Sequence, residues 1–326
     1  MTGSPGRPPR SGSPGTRDKY LHSECRFHYR VAMPELIPDS TEVDPEPAAA
    51  TTLLSDPDGD RPDLDSVVAA AGPGGTVEEW LVPGALGDPE VPVRIHTPDT
   101  GPIGNPAARP VVLEIPGGGS ALGGATHREA FAFAVARATG AIVVSVGYRL
   151  AAEDPTAAAD DCYAVLEWVA SGTACPDMDP DRIVVLGDAA GGALAATVAL
   201  RAREEGGPCI ALQALLDPDL APGPDAPGSR PHPFGGREAT GQSVPARRID
   251  LTGMPSTYLT VGERAPFRGE ATDYARRLRQ AGVPVELHCR PGISDESVLV
   301  RDAGATRALC DAIVRATART PVLDHD

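Results

Sequence analysis

The stretch that most constrains this chain is Arg182–Ala196, RIVVLGDAAGGALAA. Ile183 to Leu186 is a short apolar run that reads as a buried strand. Gly187 to Gly192 is a tight turn of small residues, and a helix starts within it at Ala190. A strand that passes this abruptly into a helix belongs to a βα unit, and such a unit needs further strands beside it and helices over both faces. The remainder of the chain therefore has to supply a mostly parallel sheet.

It does so in order. Val77–Val82 and Val91–His96 alternate as strands around the Gly/Pro-bearing turn Pro83–Pro89. Val111–Ile115 and Ala141–Val146 are short apolar runs of the kind buried on both faces of a parallel sheet. Ala211–Leu216, Thr257–Val261 and Val285–His288 complete a set of eight strands with the run at Ile183. Helices are expected at His127–Thr139, Ala157–Ala170, Ala190–Glu205, Gly269–Ala281 and Ala303–Thr317. Around this core lie a disordered tail at 1–30, an acidic, proline-bearing cap segment at 31–75 with a short helix near Asp63–Ala71, and a C-terminal tail at 319–326. The α/β domain spans 76–318. Asp217–Asp250 breaks the rhythm: 34 residues, 12 of them Pro or Gly, read as a reduced cap or lid at the carboxyl edge of the sheet.

Charge and composition exclude several functions. A net charge of −16 argues against nucleic acid, which calls for a basic face. No apolar run reaches membrane-spanning length, and the first residues carry no apolar core of a secretory signal. Lys19 is the only lysine, so Schiff-base chemistry is excluded from the folded part. Six scattered cysteines (Cys25, Cys162, Cys175, Cys209, Cys289 and Cys310) form no C-x-x-C pair and read as reduced thiols in a cytoplasmic protein. No metal or cofactor motif is present.

Six stretches in order resemble the hormone-sensitive-lipase-like branch of the α/β-hydrolase family: PEVPVRIHTP (Pro89–Pro98), the glycine loop after Ile115, VVSVGYRLAAEDPTAAADD (Val143–Asp161), LGDAAGGALAA, MPSTYLTVGE (Met254–Glu263) and YARRLRQAGVPVELHCRPG (Tyr274–Gly292). The resemblance implies a serine nucleophile in a G-x-S-x-G elbow, a histidine base, an orienting carboxylate and an oxyanion hole of backbone amides. Carried over position by position, the serine falls on Ala189, the acid on Ala265 and the histidine on Asp295. The family's His-Gly-Gly-Gly loop reads Pro116-Gly117-Gly118-Gly119. The implied oxyanion donors are the amides of Gly117, Gly118 and Ala190, with Gly119 completing the loop. Asp188 supports neighbouring loops, and His127 is close enough in sequence to line the pocket. Ser120, Ser294 and Cys175 are the only stand-in nucleophiles to consider, and each reads better as an ordinary loop residue. His288 reads as a packing residue on the last strand.

This pattern leaves three functions open. The first is a non-hydrolytic enzyme that polarises a carbonyl-bearing small molecule of specialised metabolism at the glycine amides. It would move protons through Asp295 or Glu296, in a cyclisation, elimination or isomerisation. The second is a receptor that binds a carbonyl or carboxylate ligand without chemistry. The third is a scaffold partnering an active enzyme. Relatives of this branch pair through the last strand and helix, so a homodimer is expected.

Overall fold

β3 to β7 each centre on a short apolar run, such as Val111–Leu113, Ile142–Val144 and Ile183–Leu186, and a buried, doubly covered sheet accommodates such runs. In the computed structural model, β1 is Gly75–Val82, β2 Val91–Pro98, β3 Arg109–Ile115, β4 Ile142–Val146, β5 Met178–Asp188, β6 Leu212–Leu216, β7 Ser256–Gly262 and β8 Val285–Arg290. The helices are α1 Glu129–Thr139, α2 Ala157–Ala170, α3 Ala190–Glu205, α4 Arg268–Gln280 and α5 Ala303–Thr317. The described residues are 75–99, 108–117, 129–149, 156–172, 175, 177–220, 248–291 and 303–318, and all of them belong to the unit Ile37–Asp326. The expected tails, nearly all of the cap segment and residues 221–247 of the insertion lie outside them.

The eight strands form one sheet in the order β1-β2-β4-β3-β5-β6-β7-β8. β2 is antiparallel to both β1 and β4, and the other pairs are parallel. This is the expected mostly parallel sheet. One face packs against α2, α3 and α4 through Leu113, Ile115, Val144, Val185 and Leu215. The opposite face packs against α1 and α5 through Val112, Val143, Val184 and Leu216. Val111, Val112, Leu113, Ile115 and Ile183–Leu186 are at most 1% exposed.

The expected ranges of α2, α3 and α5 coincide with the observed ones. β5 is longer than its apolar run, because Met178 reaches Arg109 of β3 across a bulge. Arg182 reinforces the extension by pairing with Asp179 at 2.7 Å and donating to the Ala108 carbonyl. Cys162, Cys175, Cys289 and Cys310 are free. Among the described residues no helix is long and apolar enough to cross a membrane.

Candidate functional site

The site is built where β5 stops. Ala189 follows Asp188 with φ 46° and ψ −115°, a backbone conformation that alanine rarely adopts. Three hydrogen bonds hold it. Its N–H donates to the Leu216 carbonyl at 2.9 Å, and its carbonyl accepts from Asp219 N–H at 3.0 Å and Ala193 N–H at 3.1 Å. The chain can turn this sharply only because two neighbours lack a Cβ. A Cβ on Gly187 would stand 2.2 Å from the Gly191 carbonyl oxygen, and one on Gly191 would stand 2.0 Å from that of Ile115. These glycines are thus required by the fold, whatever the pocket does.

Ala190 is the first residue of α3, where a backbone N–H has no acceptor within its own helix. This expected oxyanion donor directly follows the elbow residue Ala189. Gly117 behaves differently. Its N–H donates to Asp188 Oδ1 at 2.8 Å, and a Cβ here would come within 2.8 Å of Asp188 Oδ2. The Gly117 amide, expected to face a ligand oxygen, is therefore turned toward a buried carboxylate. Asp188 is 3% exposed and acts here by holding the start of the glycine loop against the end of β5. Tyr148 adds a second tie, donating from its hydroxyl to the Pro116 carbonyl at 2.7 Å.

Ala265 lies three residues beyond the end of β7, buried, with its N–H donating to the Gly262 carbonyl at 3.1 Å. It is at the same carboxyl edge of the sheet as Ala189, as the chain order implies. Between them, after β6, is a residue that sequence reasoning missed. Asp217 is buried with φ 43°. Its carboxylate accepts from Gly262 N–H at 2.6 Å, and its own N–H donates to the Thr260 carbonyl at 2.8 Å. It fastens the β7–α4 turn to the elbow. The signal was available: Asp-Pro-Asp directly ending an apolar strand, with aspartate among the few residues that tolerate positive φ.

Other candidates separate cleanly. Cys175 precedes β5 at the amino edge and packs against the core. At about 3.3 Å per strand residue it is roughly 30 Å from the elbow, which removes it as a stand-in nucleophile. His288 is on β8, with its Nε2 2.8 Å from Glu286 Oε1 and its ring 5.1 Å from that of Tyr258. Gly118, Gly119, Ser120, His127, Ser294, Asp295 and Glu296 lie outside the described residues. Among the described residues no three His, Cys, Asp or Glu side chains come together as a metal site.

A parallel sheet with a strand-to-helix elbow at its carboxyl edge is the framework of hydrolases that carry their nucleophile on that elbow. The chain belongs to the family described as alpha/beta hydrolase fold, whose model matches residues 112–239 and 237–294. Esterase LipI of Mycobacterium tuberculosis is 36% identical over 227 residues, covering 63% of this chain and 70% of that protein. Carboxylesterase NlhH of the same organism is 36% identical over 241 residues, covering 66% and 73%. Among solved structures, a bacterial heroin esterase superposes with a TM-score of 0.69 at 36% identity, covering 85% of this chain and 98% of that one. Esterase LipW from Mycobacterium marinum superposes with a TM-score of 0.68 at 33% identity, covering 78% and 87%.

Proposed function

We propose that this chain binds a small molecule bearing a carbonyl or carboxylate at the elbow and does not hydrolyse esters through an acyl-enzyme. The observation that carries the proposal is Ala189: it occupies the strained elbow, and its methyl side chain has no nucleophilic oxygen to offer. Ala265 at the turn after β7 and Asp295 after β8 extend the same substitution to the acid and histidine positions. Without those three groups, binding and the oxyanion donors alone leave roughly 10³ to 10⁴ over water. The esterase relatives support the ligand class, since a pocket shaped for esters presents amides to an acyl oxygen.

Asp295 and Glu296 are the candidate acid and base, and with them the proposal covers cyclisation, elimination or isomerisation of that ligand. The second reading is ligand binding, or a scaffold role, without chemistry. It is favoured by the Gly117 amide, which is bonded to Asp188 and so subtracted from the oxyanion donors. A homodimer and a cytoplasmic location complete the proposal. The four free thiols among the described residues support a reducing compartment.

The test is hydrolysis of short p-nitrophenyl esters by the native chain and by Ala189→Ser/Ala265→Asp/Asp295→His. The native chain is expected to stay at background, and the triple variant to gain at least about a hundredfold, because the elbow already has the nucleophile's backbone geometry. Rapid hydrolysis by the native chain would overturn the proposal. Native mass spectrometry of native and Asp295→Asn protein, exposed to extract of the source cells, separates the two readings. A ligand converted only by the native chain supports catalysis, and a ligand left unchanged by both supports binding alone.

A further inference from the structure

His96 is far from the elbow alanine in role and is not used by the proposed chemistry. It is on β2, on the face covered by α1, and is fully buried. Its ring meets Phe133 of α1 at 5.1 Å between centroids with the planes 87° apart. Among the described residues neither ring nitrogen has a partner in full hydrogen-bond geometry, although the Val143 and Arg94 backbones are nearby. A buried polar ring without a partner is costly when neutral and far more costly when charged.

The surroundings are otherwise apolar. β1 and β4 place Val77 and Val143 beside His96 in register, and α1 contributes Phe131, Ala132, Val135 and Ala136 to the same cluster as Val143. Among the described residues two charged groups face the ring: Arg94 from β2 itself and Glu129 from the first turn of α1. They bond to each other at 2.8 Å, and Arg94 also bonds Glu79 of β1 at 2.8 Å. The Glu129 carboxylate, which could have stabilised an imidazolium, is thus already partly neutralised by a guanidinium.

We infer that His96 is a proton-operated latch: the neutral imidazole lets α1 seat on β2, and protonation in mildly acidic solution releases α1 from the sheet. Burial dominates the balance and holds the imidazole below its ordinary titration range. The folded state therefore binds fewer protons than the unfolded chain below about pH 6.5, so the seat is intact above that value and weakens as pH falls below it.

Hydrogen exchange of the full chain tests this, with rates corrected for intrinsic pH dependence. Between about pH 7.5 and about pH 5.5, protection of Glu129–Thr139 is expected to fall about tenfold relative to that of Ala190–Glu205, and His96→Phe is expected to abolish the fall. Equal loss in both proteins, or no loss in the native chain, would overturn the latch. If His96→Phe does not fold, imidazole nitrogen chemical shifts of the native protein decide. A His96 ring still neutral at about pH 6 supports the inference, and one protonated there defeats it.

Discussion

Two residues with positive φ, Ala189 and Asp217, stand side by side at the carboxyl edge, and neither is glycine. Sparsely populated conformations of this kind cost on the order of 1–3 kcal/mol each and persist only when neighbours hold them. At Ala189 the holders are Leu216, Asp219 and Ala193. Ala189→Gly should therefore raise stability by about 1 kcal/mol, the relief of strain exceeding the added freedom of the unfolded glycine. Denaturant midpoints would measure it, and a loss would mean that the methyl group is itself a packing contact. The sequence announced the elbow through its glycines and showed that its central residue is alanine. It did not reveal that the Gly117 amide bonds Asp188, because that bond joins residues 71 positions apart and depends on how β3 and β5 align. Asp217 was hidden for a related reason: its partner, Gly262, belongs to a different strand.

At the scale of elements, the join between the β1–β2 hairpin, the end of β4 and α2 depends on Arg149. Its guanidinium bonds Asp161 at 2.7 Å and Asp88 at 3.1 Å, and its N–H donates to Asp161 Oδ2 at 2.8 Å. Asp161 is 2% exposed, so deleting the guanidinium strands a buried carboxylate. Arg149→Ala is expected to cost roughly 3 kcal/mol in urea unfolding. Arg149→Lys should recover part of that loss, because a point charge replaces the forked donor. A cost near zero would show that water enters and solvates Asp161. Helix ranges were the most legible part of the chain: α2 and α5 keep an apolar face, and α3 is a run of small and apolar residues buried on all sides from Gly191 to Leu200. The start of β5 was not, because Met178-Asp-Pro-Asp-Arg182 looks like a turn. It becomes strand only through its pairing with Arg109 and the Arg182–Asp179 bridge.

Across the whole molecule, a net charge of −16 works against compaction through self-repulsion. Raising ionic strength from about 0.01 M to about 0.15 M shortens the screening length from roughly 30 Å to roughly 8 Å, so Tm should rise by about 1–2 °C. Scanning calorimetry would detect it, and a flat response would mean that the acidic groups are already matched by nearby arginines. The strand order also sets a timetable. β2 has no partner in the sheet except β1 and β4. Ile142, where β4 begins, is 44 positions beyond Pro98, where β2 ends. At roughly 5–20 residues per second of synthesis, the hairpin waits about 2–9 s for its neighbour. Val91, Val93 and Ile95, all buried in the finished protein, face the cell's water during that interval. The nascent chain thus carries an open sheet edge that a chaperone, or a second copy still on the same message, can reach before the fold closes it.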